Sequence, residues 1–245
     1  MIAKKGGDRM DEKMLGILGG VGPLATVYFA DLIVKMTPAS CDQDHIRMIV
    51  SNDPKIPDRT DYILDRTKPS PLPAMISDAK MLASLGCDLI AIPCNTAHFF
   101  YDEIQKNVDV QVLNIIEETL RFASRNVPDL RRAGILATSG TIASGVYPHT
   151  AERFGVECVV PSAQSVQSLM RIIYDQVKAG KPVDHDAFFR IVDEMKDMGC
   201  DVVILGCTEL SVIYYELQID RPDILDSMTS LAYACVQAVK GSVRT

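Results

Sequence analysis

Two stretches of similar sequence decide the fold of this chain: GCDLIAIPCNTAH at residues 86–98 and GCDVVILGCTE at residues 199–209. Each stretch begins with Gly-Cys-Asp, continues as an apolar run, and reaches a second cysteine, Cys94 or Cys207, eight residues after its glycine. A short apolar run bounded by a turn and by polar residues is typical of a strand buried on both faces. Each stretch therefore predicts a buried strand that ends near a cysteine.

The repetition extends outward from these two stretches. Gly134-Ile135-Leu136 repeats Gly16-Ile17-Leu18 with an offset of 118 residues, close to the offset of 113 between the two Gly-Cys-Asp triplets. Apolar runs such as residues 14–18 alternate with amphipathic stretches such as residues 23–36, as in βαβ units with parallel sheets. The pattern predicts an α/β fold of two similar lobes with parallel-type sheets flanked by helices. The lobes would be related by a pseudo-twofold duplication, with the active site between them.

The duplication also predicts where each lobe lies. The first lobe takes residues 14–113 together with about 225–245, because the last apolar helix, about Ser227–Lys240, is expected to pack back on it. The second lobe takes residues 114–224, and a polar stretch marks the boundary between them. Residues 1–13 are too polar for a strand and predict a flexible leader.

The composition limits the classes of protein and of partner. Of the 245 residues, 47 % are hydrophobic and 23 % are charged, as in ordinary globular proteins. The net charge of −7 and the lack of a dense Lys/Arg stripe argue against nucleic-acid binding. No apolar run approaches the roughly 18 to 20 residues that span a bilayer, and the first residues lack the apolar segment of a secretory signal. We therefore expect a cytoplasmic protein without membrane attachment, whose seven cysteines are reduced thiols.

The two repeated strand-end cysteines carry the functional argument. Ligands of open parallel sheets bind beyond the carboxyl ends of the strands, so a pseudo-twofold pair of lobes would bring Cys94 and Cys207 to one cleft. A thiolate on one side can remove a proton from a carbon atom while a thiol on the other side returns one, which inverts that carbon. Cysteine is otherwise most often a small buried apolar residue. Cys87 and Cys200 precede their strands and are assigned to such packing.

Polar residues after each cysteine suit an anionic substrate. Asn95, Thr96 and Thr208 are good helix-capping residues, and the exposed amides of such a turn can bind a carboxylate. The loop from Thr138 to Thr141 stands at the equivalent of the first glycine loop and is also rich in small donors.

Two cations stand out as partners for a carboxylate. Arg59 lies in a proline-stiffened loop after a strand, and arginine holds carboxylates with two parallel hydrogen bonds. Lys178 lies at the end of a helical stretch, where the helix dipole favours a cation. Spacing alone favours ordinary surface charges at both positions.

Two further signals point to cofactors or metals only weakly. GGVGPLA at residues 19–25 loosely matches a dinucleotide-binding fingerprint, which leaves a cofactor-dependent oxidoreductase as an alternative. We interpret it instead as a loop that brings backbone amides close to a small anion. Cys94 and His98 are four residues apart, but no second ligand pair accompanies them, so His98 is expected to cap, orient or pack. No cofactor and no metal is predicted.

Beyond these arguments, the chain from Met14 onward resembles the aspartate racemases of the aspartate/glutamate racemase family. The segments that carry the resemblance are GILGGVGPLAT, NDPKIPDRTDYI, IPCNTAH, the IEET run, LATSGTIASGVY, IYDQVKAG and LGCTELSV. The resemblance implies two α/β domains with the cleft between them, no pyridoxal phosphate or metal, and a homodimer.

The resemblance also implies roles for individual residues. It makes Cys94 and Cys207 the proton-transfer pair. It assigns the α-carboxylate and amino group of the substrate to Asn95, Thr96, Thr138 and Thr208, and the side-chain carboxylate to Arg59 and Lys178. Asn52 is a further candidate for substrate binding. Relatives specialised for glutamate carry an aspartate in the first glycine loop and a histidine where this chain has Glu209. Glu209 is left with an orienting or proton-relay role.

The sequence thus predicts a cofactor-independent amino-acid racemase that interconverts L- and D-aspartate by two-base proton transfer. One alternative is a broader-specificity aspartate/glutamate racemase. Others are a hydantoin racemase, a maleate isomerase or an arylmalonate decarboxylase of the same superfamily. A non-catalytic binding protein for an acidic metabolite is the alternative from another class.

Overall fold

A computed structural model describes residues 13–244, which form two four-stranded parallel sheets. The first sheet has the order β2-β1-β3-β4, with β1 (Leu15–Gly19), β2 (Met48–Asn52), β3 (Leu89–Ala91) and β4 (Gln111–Leu113). The second has the order β6-β5-β7-β8, with β5 (Arg132–Leu136), β6 (Glu157–Val159), β7 (Val202–Leu205) and β8 (Ile224–Asp226). The two orders are equivalent strand for strand, which confirms the predicted α/β fold of two similar lobes.

Helices connect the strands in both halves. The first half contains α1 (Pro23–Met36), α2 (Arg59–Leu64), α3 (Leu72–Ser84) and α4 (Tyr101–Gln105). The remaining helices are α5 (Ile115–Asn126), α6 (Ser139–Ser144), α7 (Val146–Ala151), α8 (Ala163–Met170), α9 (His185–Asp197), α10 (Thr208–Glu216) and α11 (Ser227–Lys240). Short 3-10 turns lie at Asp42–Asp44, Thr96–Phe100 and Glu152–Phe154. A π-helix at Arg171–Val177 follows α8 directly, and no feature of the sequence pattern predicted it.

The central strands are buried on both faces, as their apolar runs predict. All residues of β1, β3 and β7 are buried, whereas the edge strand β2 is partly exposed. One apolar cluster includes Ile17 of β1, Ile204 of β7 and Met228 of α11, so the two halves share part of their core. α11 leaves the second sheet after β8 and packs against α1 and α5. The lobe boundaries at residues 113 and 225 stay a prediction.

The predicted flexible leader, residues 1–13, lies outside the described residues apart from Lys13. The Lys13 ammonium donates to the Ala238 carbonyl over 3.3 Å. Between residues 13 and 244, no helix has the length and apolar character needed to cross a membrane.

Candidate active site

Cys94 and Cys207 lie at equivalent points of the two sheets. Cys94 follows β3 in a turn where its N–H donates to the Ile92 carbonyl over 2.8 Å. Cys207 follows β7 and is the N-cap residue of α10. Both residues are buried, and both line one cavity of about 10 Å³ between the lobes, which is room for a single water molecule.

The walls of this central cavity combine thiols, hydroxyls, two cations and two carboxylates. The lining residues are Val21, Asp58, Arg59, Thr60, Cys94, Asn95 and Thr96 from the first half and Thr138, Tyr174, Lys178, Cys207, Thr208 and Glu209 from the second. Every site residue predicted from the sequence is among them except Asn52.

Asn52 lies away from the cavity because of the position of its strand. It ends β2, the edge strand, and is exposed. The next residue, Asp53, packs closely on the first glycine loop, since a Cβ added to Gly20 (φ +81°) would lie 2.2 Å from the Asp53 backbone. The structure therefore does not bring Asn52 to the other predicted site residues.

Threonine hydroxyls join the two lobes across the cavity. Thr96 Oγ1 lies 3.1 Å from Thr138 Oγ1 and 2.8 Å from Thr141 Oγ1. The Thr60 hydroxyl donates to Thr138 Oγ1 over 3.3 Å. A Cβ on Gly140 would lie 2.7 Å from Thr60 Cα, so glycine is needed for α6 to approach α2 this closely. The hydroxyl cluster is thus held in place from both halves.

Asn95 ties the end of β3 to the end of β7. Its amide nitrogen donates to Ser227 Oγ over 2.9 Å, and the Tyr147 hydroxyl donates to its Oδ1 over 2.7 Å. The Ser227 hydroxyl donates in turn to the carbonyl of Leu205, the last residue of β7. One N–H of the Asn95 amide remains for a ligand.

His98 supports the turn that carries Cys94. The Ile115 N–H donates to His98 Nε2 over 3.1 Å, so the neutral ring holds its proton on Nδ1, which donates to the Cys94 carbonyl over 2.8 Å. Burial lowers the pKa of His98 to about 4, against hydrogen bonds to backbone carbonyls that raise it. Both nitrogens are engaged, so His98 orients the turn as expected and is not free to bind a metal. No three His, Cys, Asp or Glu side chains of residues 13–244 cluster as metal ligands.

A chain of charged groups extends from Cys207. The Cys207 thiol donates to Glu209 Oε2 over 3.0 Å, and Glu209 Oε1 lies 3.4 Å from Lys178 Nζ. Burial raises the pKa of Cys207 well above its ordinary value, and the Glu209 carboxylate raises it further. Burial lowers the pKa of Lys178, but the negative charges around it, Glu209 first, outweigh burial and raise it. At neutral pH Cys207 is therefore a thiol and Lys178 a cation.

Arg59 is the second cation of the cavity and is almost fully buried. It begins α2, and its Nη1 donates to two carbonyls of the preceding loop. Burial lowers the pKa of Arg59, but its electrostatic interactions with Cys94, Asp58 and Glu209 outweigh burial and raise it. Its buried Nε has no hydrogen-bond partner in the part of the chain that the structure describes. Arg59, a lining residue of the cavity, thus keeps one guanidinium donor unpaired among the described residues.

Sequence reasoning missed four lining residues, which lie close to predicted ones. Asp58 and Thr60 flank Arg59, and Val21 lies in the first glycine loop. Tyr174 precedes Lys178 by four residues, about one helical turn. The Tyr174 hydroxyl lies 3.2 Å from both Asp58 carboxylate oxygens, and Lys178 Nζ lies 4.6 Å from the centroid of the Tyr174 ring. Their positions near Arg59 and Lys178 in the sequence would have indicated most of these missed residues.

Comparison with known proteins identifies the class of enzyme. The model of the Asp/Glu/hydantoin racemase family matches residues 18–235, and the chain belongs to this family. The protein is therefore an isomerase of the racemase type. The broad specificity amino-acid racemase RacX of Bacillus subtilis (strain 168) is 32 % identical over 231 residues, which cover 91 % of this chain and 96 % of that protein.

Solved structures of racemases share the fold over nearly the whole chain. The aspartate racemase of Picrophilus torridus is 30 % identical with a TM-score of 0.79, and the match covers 94 % of this chain and 95 % of that one. An aspartate racemase homologue from Pyrococcus horikoshii OT3 is 25 % identical with a TM-score of 0.73 and coverages of 93 % and 99 %. A glutamate racemase from Francisella tularensis, in complex with D-glutamate, shares the fold at 17 % identity, with a TM-score of 0.65 and coverages of 93 % and 81 %.

Proposed function

We propose that this racemase interconverts L- and D-aspartate without a cofactor, with the thiols of Cys94 and Cys207 as its two bases. One observation carries the proposal: two thiols from equivalent points of the duplicated sheets line the same cavity as two buried cations. The two thiols supply a proton acceptor and a proton donor. The two cations, Arg59 and Lys178, supply the charge that a second carboxylate requires.

The reaction moves one proton off the α-carbon and another onto its opposite face. The thiolate takes the α-proton, and the electron pair of the broken C–H bond is delocalised into the α-carboxylate. The opposite thiol then donates its proton to the carbon and becomes the thiolate. The substrate is inverted, the two cysteines have exchanged protonation states, and no redox change occurs. Proton transfer by a positioned side chain typically contributes about 10² to 10⁴ in rate.

The α-carboxylate gains negative charge as the proton leaves, so fixed donors next to it lower the barrier. The hydroxyls of Thr96 and Thr138, the Asn95 amide and the N-terminal turn of α10 at Thr208 are the donors that we assign to it. The contacts between Thr96, Thr138 and Asn95 and the opposite lobe support this assignment, because they hold the donors before substrate arrives.

The side-chain carboxylate of aspartate would lie between Arg59 and Lys178. The free Nε of Arg59 supports this, because a buried guanidinium donor gains a charge-assisted hydrogen bond when a carboxylate binds. Lys178 already shares its charge with Glu209 and Asp58, at 3.4 Å and 3.9 Å. We therefore assign most of the selection for an acidic side chain to Arg59.

The surroundings of the thiols favour one resting protonation state. Cys207 donates to Glu209 and keeps its proton, whereas Arg59 supplies positive charge near Cys94. We therefore assign the thiol of the resting enzyme to Cys207. Glu209 then serves as a positioning residue that aligns the Cys207 thiol and favours its protonated form.

Aspartate does not fit a cavity of about 10 Å³, so the cavity must widen before substrate enters. Closure around the substrate then excludes water from the thiolate.

The test is proton NMR of L-aspartate in D2O with the reduced protein and no added cofactor. We expect deuterium at the α-carbon and formation of D-aspartate. In Cys94→Ala and in Cys207→Ala, D-aspartate formation should fall by roughly 10³-fold or more, because each removes one of the two proton carriers. Cys41→Ala, which changes an exposed cysteine away from the cavity, is the matched control. A folded, reduced wild-type protein that exchanges neither aspartate enantiomer would refute the assignment.

A broader specificity is the second candidate, favoured by the similarity to the broad specificity racemase RacX. The same exchange experiment with L-glutamate distinguishes the two: comparable rates for both acids favour the broader enzyme. The homodimer and the cytoplasmic location stay predictions, and light scattering of the purified protein measures the former.

A further inference from the structure

A second cavity adjoins the central one on the far side of Lys178. It measures about 250 Å³ and lies between the start of α1 and the segment that follows the π-helix. Its apolar walls come from Leu24, Ala25, Val177 and Val212, and we refer to it as the apolar chamber. Its volume is below the roughly 300–1,000 Å³ of typical small-molecule pockets, which suits a side chain better than a whole ligand.

The Lys178–Glu209 ion pair is the partition between the two cavities, since both residues line both of them. Glu209 is held on two sides. It accepts from Cys207 over 3.0 Å, and its Oε1 lies 2.9 Å from the place that a Cβ on Gly22 would occupy. Of the two side chains that separate the cavities, that of Glu209 is therefore held in place.

Lys178 is the movable member of the partition. Its side chain is 26 % exposed, against 8 % for Glu209, and its carboxylate partners lie at 3.4 Å and 3.9 Å. Charge-assisted hydrogen bonds are commonly about 2.7–2.9 Å long, so both ion pairs of Lys178 are long. Its ammonium also lies 4.6 Å from the centroid of the Tyr174 ring. Its four-carbon stem can turn its ammonium into solvent without moving the backbone.

The backbone around Lys178 is also unusual. Lys178 directly follows the π-helix at Arg171–Val177, and the chain turns two residues later at Gly180 with φ +63°. π-helical turns are rare in proteins and occur frequently at functional sites. The π-helix and the turn at Gly180 thus both lie next to Lys178, the residue of the partition that would move.

We propose that the apolar chamber is a second side-chain subsite, which joins the central cavity when Lys178 turns away and admits amino acids with long apolar side chains. The α-carbon of such a substrate stays between the two thiols, while its side chain passes the Lys178 position and contacts Leu24, Val177 and Val212. The inference rests on the proposed two-thiol function and extends it from an acidic side chain to an apolar one.

The test compares α-proton exchange of L-methionine with that of L-aspartate in D2O. Leu24→Trp narrows the chamber from its rim, where Leu24 is 48 % exposed, so the fold should tolerate the change. Val27→Trp is the matched control, because Val27 lies on the same helix, is 59 % exposed and does not line the chamber. We expect Leu24→Trp to lower the methionine-to-aspartate ratio of exchange rates by about tenfold relative to Val27→Trp.

Lys178→Ala gives the opposite test. Removing the partition should raise the methionine-to-aspartate ratio by at least about tenfold, and adding Leu24→Trp to it should abolish the gain. Thermal unfolding checks that each variant folds, and Leu24→Phe replaces Leu24→Trp if the latter does not.

Each outcome bears on one proposal or on both. Aspartate exchange in the wild type without methionine exchange in Lys178→Ala overturns the subsite alone. Equal ratios in Leu24→Trp and Val27→Trp overturn it as well. Methionine exchange that responds to Leu24→Trp, in a protein inactive on aspartate, supports the subsite and refutes the acidic substrate. Exchange of neither amino acid overturns both.

Discussion

Cys94 and Cys207 occupy equivalent places in a duplicated fold, yet their surroundings differ. Four residues after each cysteine stands a residue that ties its turn to a later helix. His98 accepts from the N–H of Ile115, the first residue of α5, while the Ser211 hydroxyl donates to Asp226, the N-cap of α11. In both halves a hydrogen bond connects the turn to a later helix, but the groups that form this bond differ.

The charged groups next to the two thiols differ more than the strands and turns that carry the thiols. Cys207 has the Glu209 carboxylate at 3.0 Å, whereas Cys94 is followed by the uncharged Asn95 and Thr96 and is influenced by Arg59. A two-base racemase needs one proton acceptor and one donor at any moment. The two thiols of the duplicated fold thus have different charged neighbours.

The largest expected effect is on stability and tests the tie beneath Cys94. The pKa of His98 is about 4 when folded, against 6.5 for a free histidine, so the unfolded chain binds the extra proton as the pH falls between these values. The free energy of unfolding therefore falls by about 2 to 3 kcal/mol as the pH drops from above 6.5 to 4. Urea unfolding at pH 7 and pH 4 should show this decline in the wild type and in His149→Gln. His98→Gln should lack this part of the decline, and an equal decline in all three proteins would contradict the prediction.

Arg59→Met should lower aspartate racemisation at subsaturating substrate by roughly thirtyfold, because a charge-assisted hydrogen bond to a carboxylate is lost. The loss should appear mainly in KM. Arg66→Met is the matched control, since Arg66 stacks over the Tyr62 and Phe99 rings and does not line the central cavity. Equal effects of the two substitutions would remove Arg59 from substrate binding.

Glu209→Gln should reduce the charge difference between the two thiols. Burial still raises the pKa of Cys207, but the negative charge that raises it further is gone, so Cys207 loses its proton at a lower pH. The alkaline limb of the rate profile should shift down by about one pH unit, with a rate loss of roughly tenfold or less at neutral pH. Glu216→Gln, at the other end of α10, is the control and should keep the wild-type profile. An unshifted profile in Glu209→Gln would mean that Glu209 does not act on the thiol.

The smallest effect concerns the other repeated cysteines. Cys87 and Cys200 precede their strands and are buried. Replacing either by alanine should cost about 1 kcal/mol of stability and leave racemisation within about twofold of the wild type. A large loss of activity in either folded variant would contradict their assignment to packing.

The sequence could predict the features that occur in both of its repeats. The alternation of apolar runs and helical stretches predicted both sheets, and the repeated spacing predicted that Cys94 and Cys207 end equivalent strands. The sequence could not predict the contacts of residues without a repeated counterpart. Tyr174 and Lys178 meet Asp58 only because the π-helix and α2 pack across the cavity, and neither element has a periodicity that predicts that crossing.

Asn52 shows the opposite limit of the sequence argument. It ends a strand, and most of the other predicted site residues follow one, but β2 lies at the sheet edge and its end packs on the glycine loop. Which strand of a sheet is central depends on strand order, and strand order is a tertiary property that a linear pattern does not contain.

The small volume of the central cavity also bears on oxidative damage. Peroxide converts accessible thiolates to sulfenic acid, and a cavity of about 10 Å³ holds no more than about one water molecule beside Cys94 and Cys207. We therefore expect that oxidation by dilute peroxide requires the cavity to widen. The rate of inactivation by peroxide then reports how often the cavity widens, and a bound competitive inhibitor should slow the inactivation.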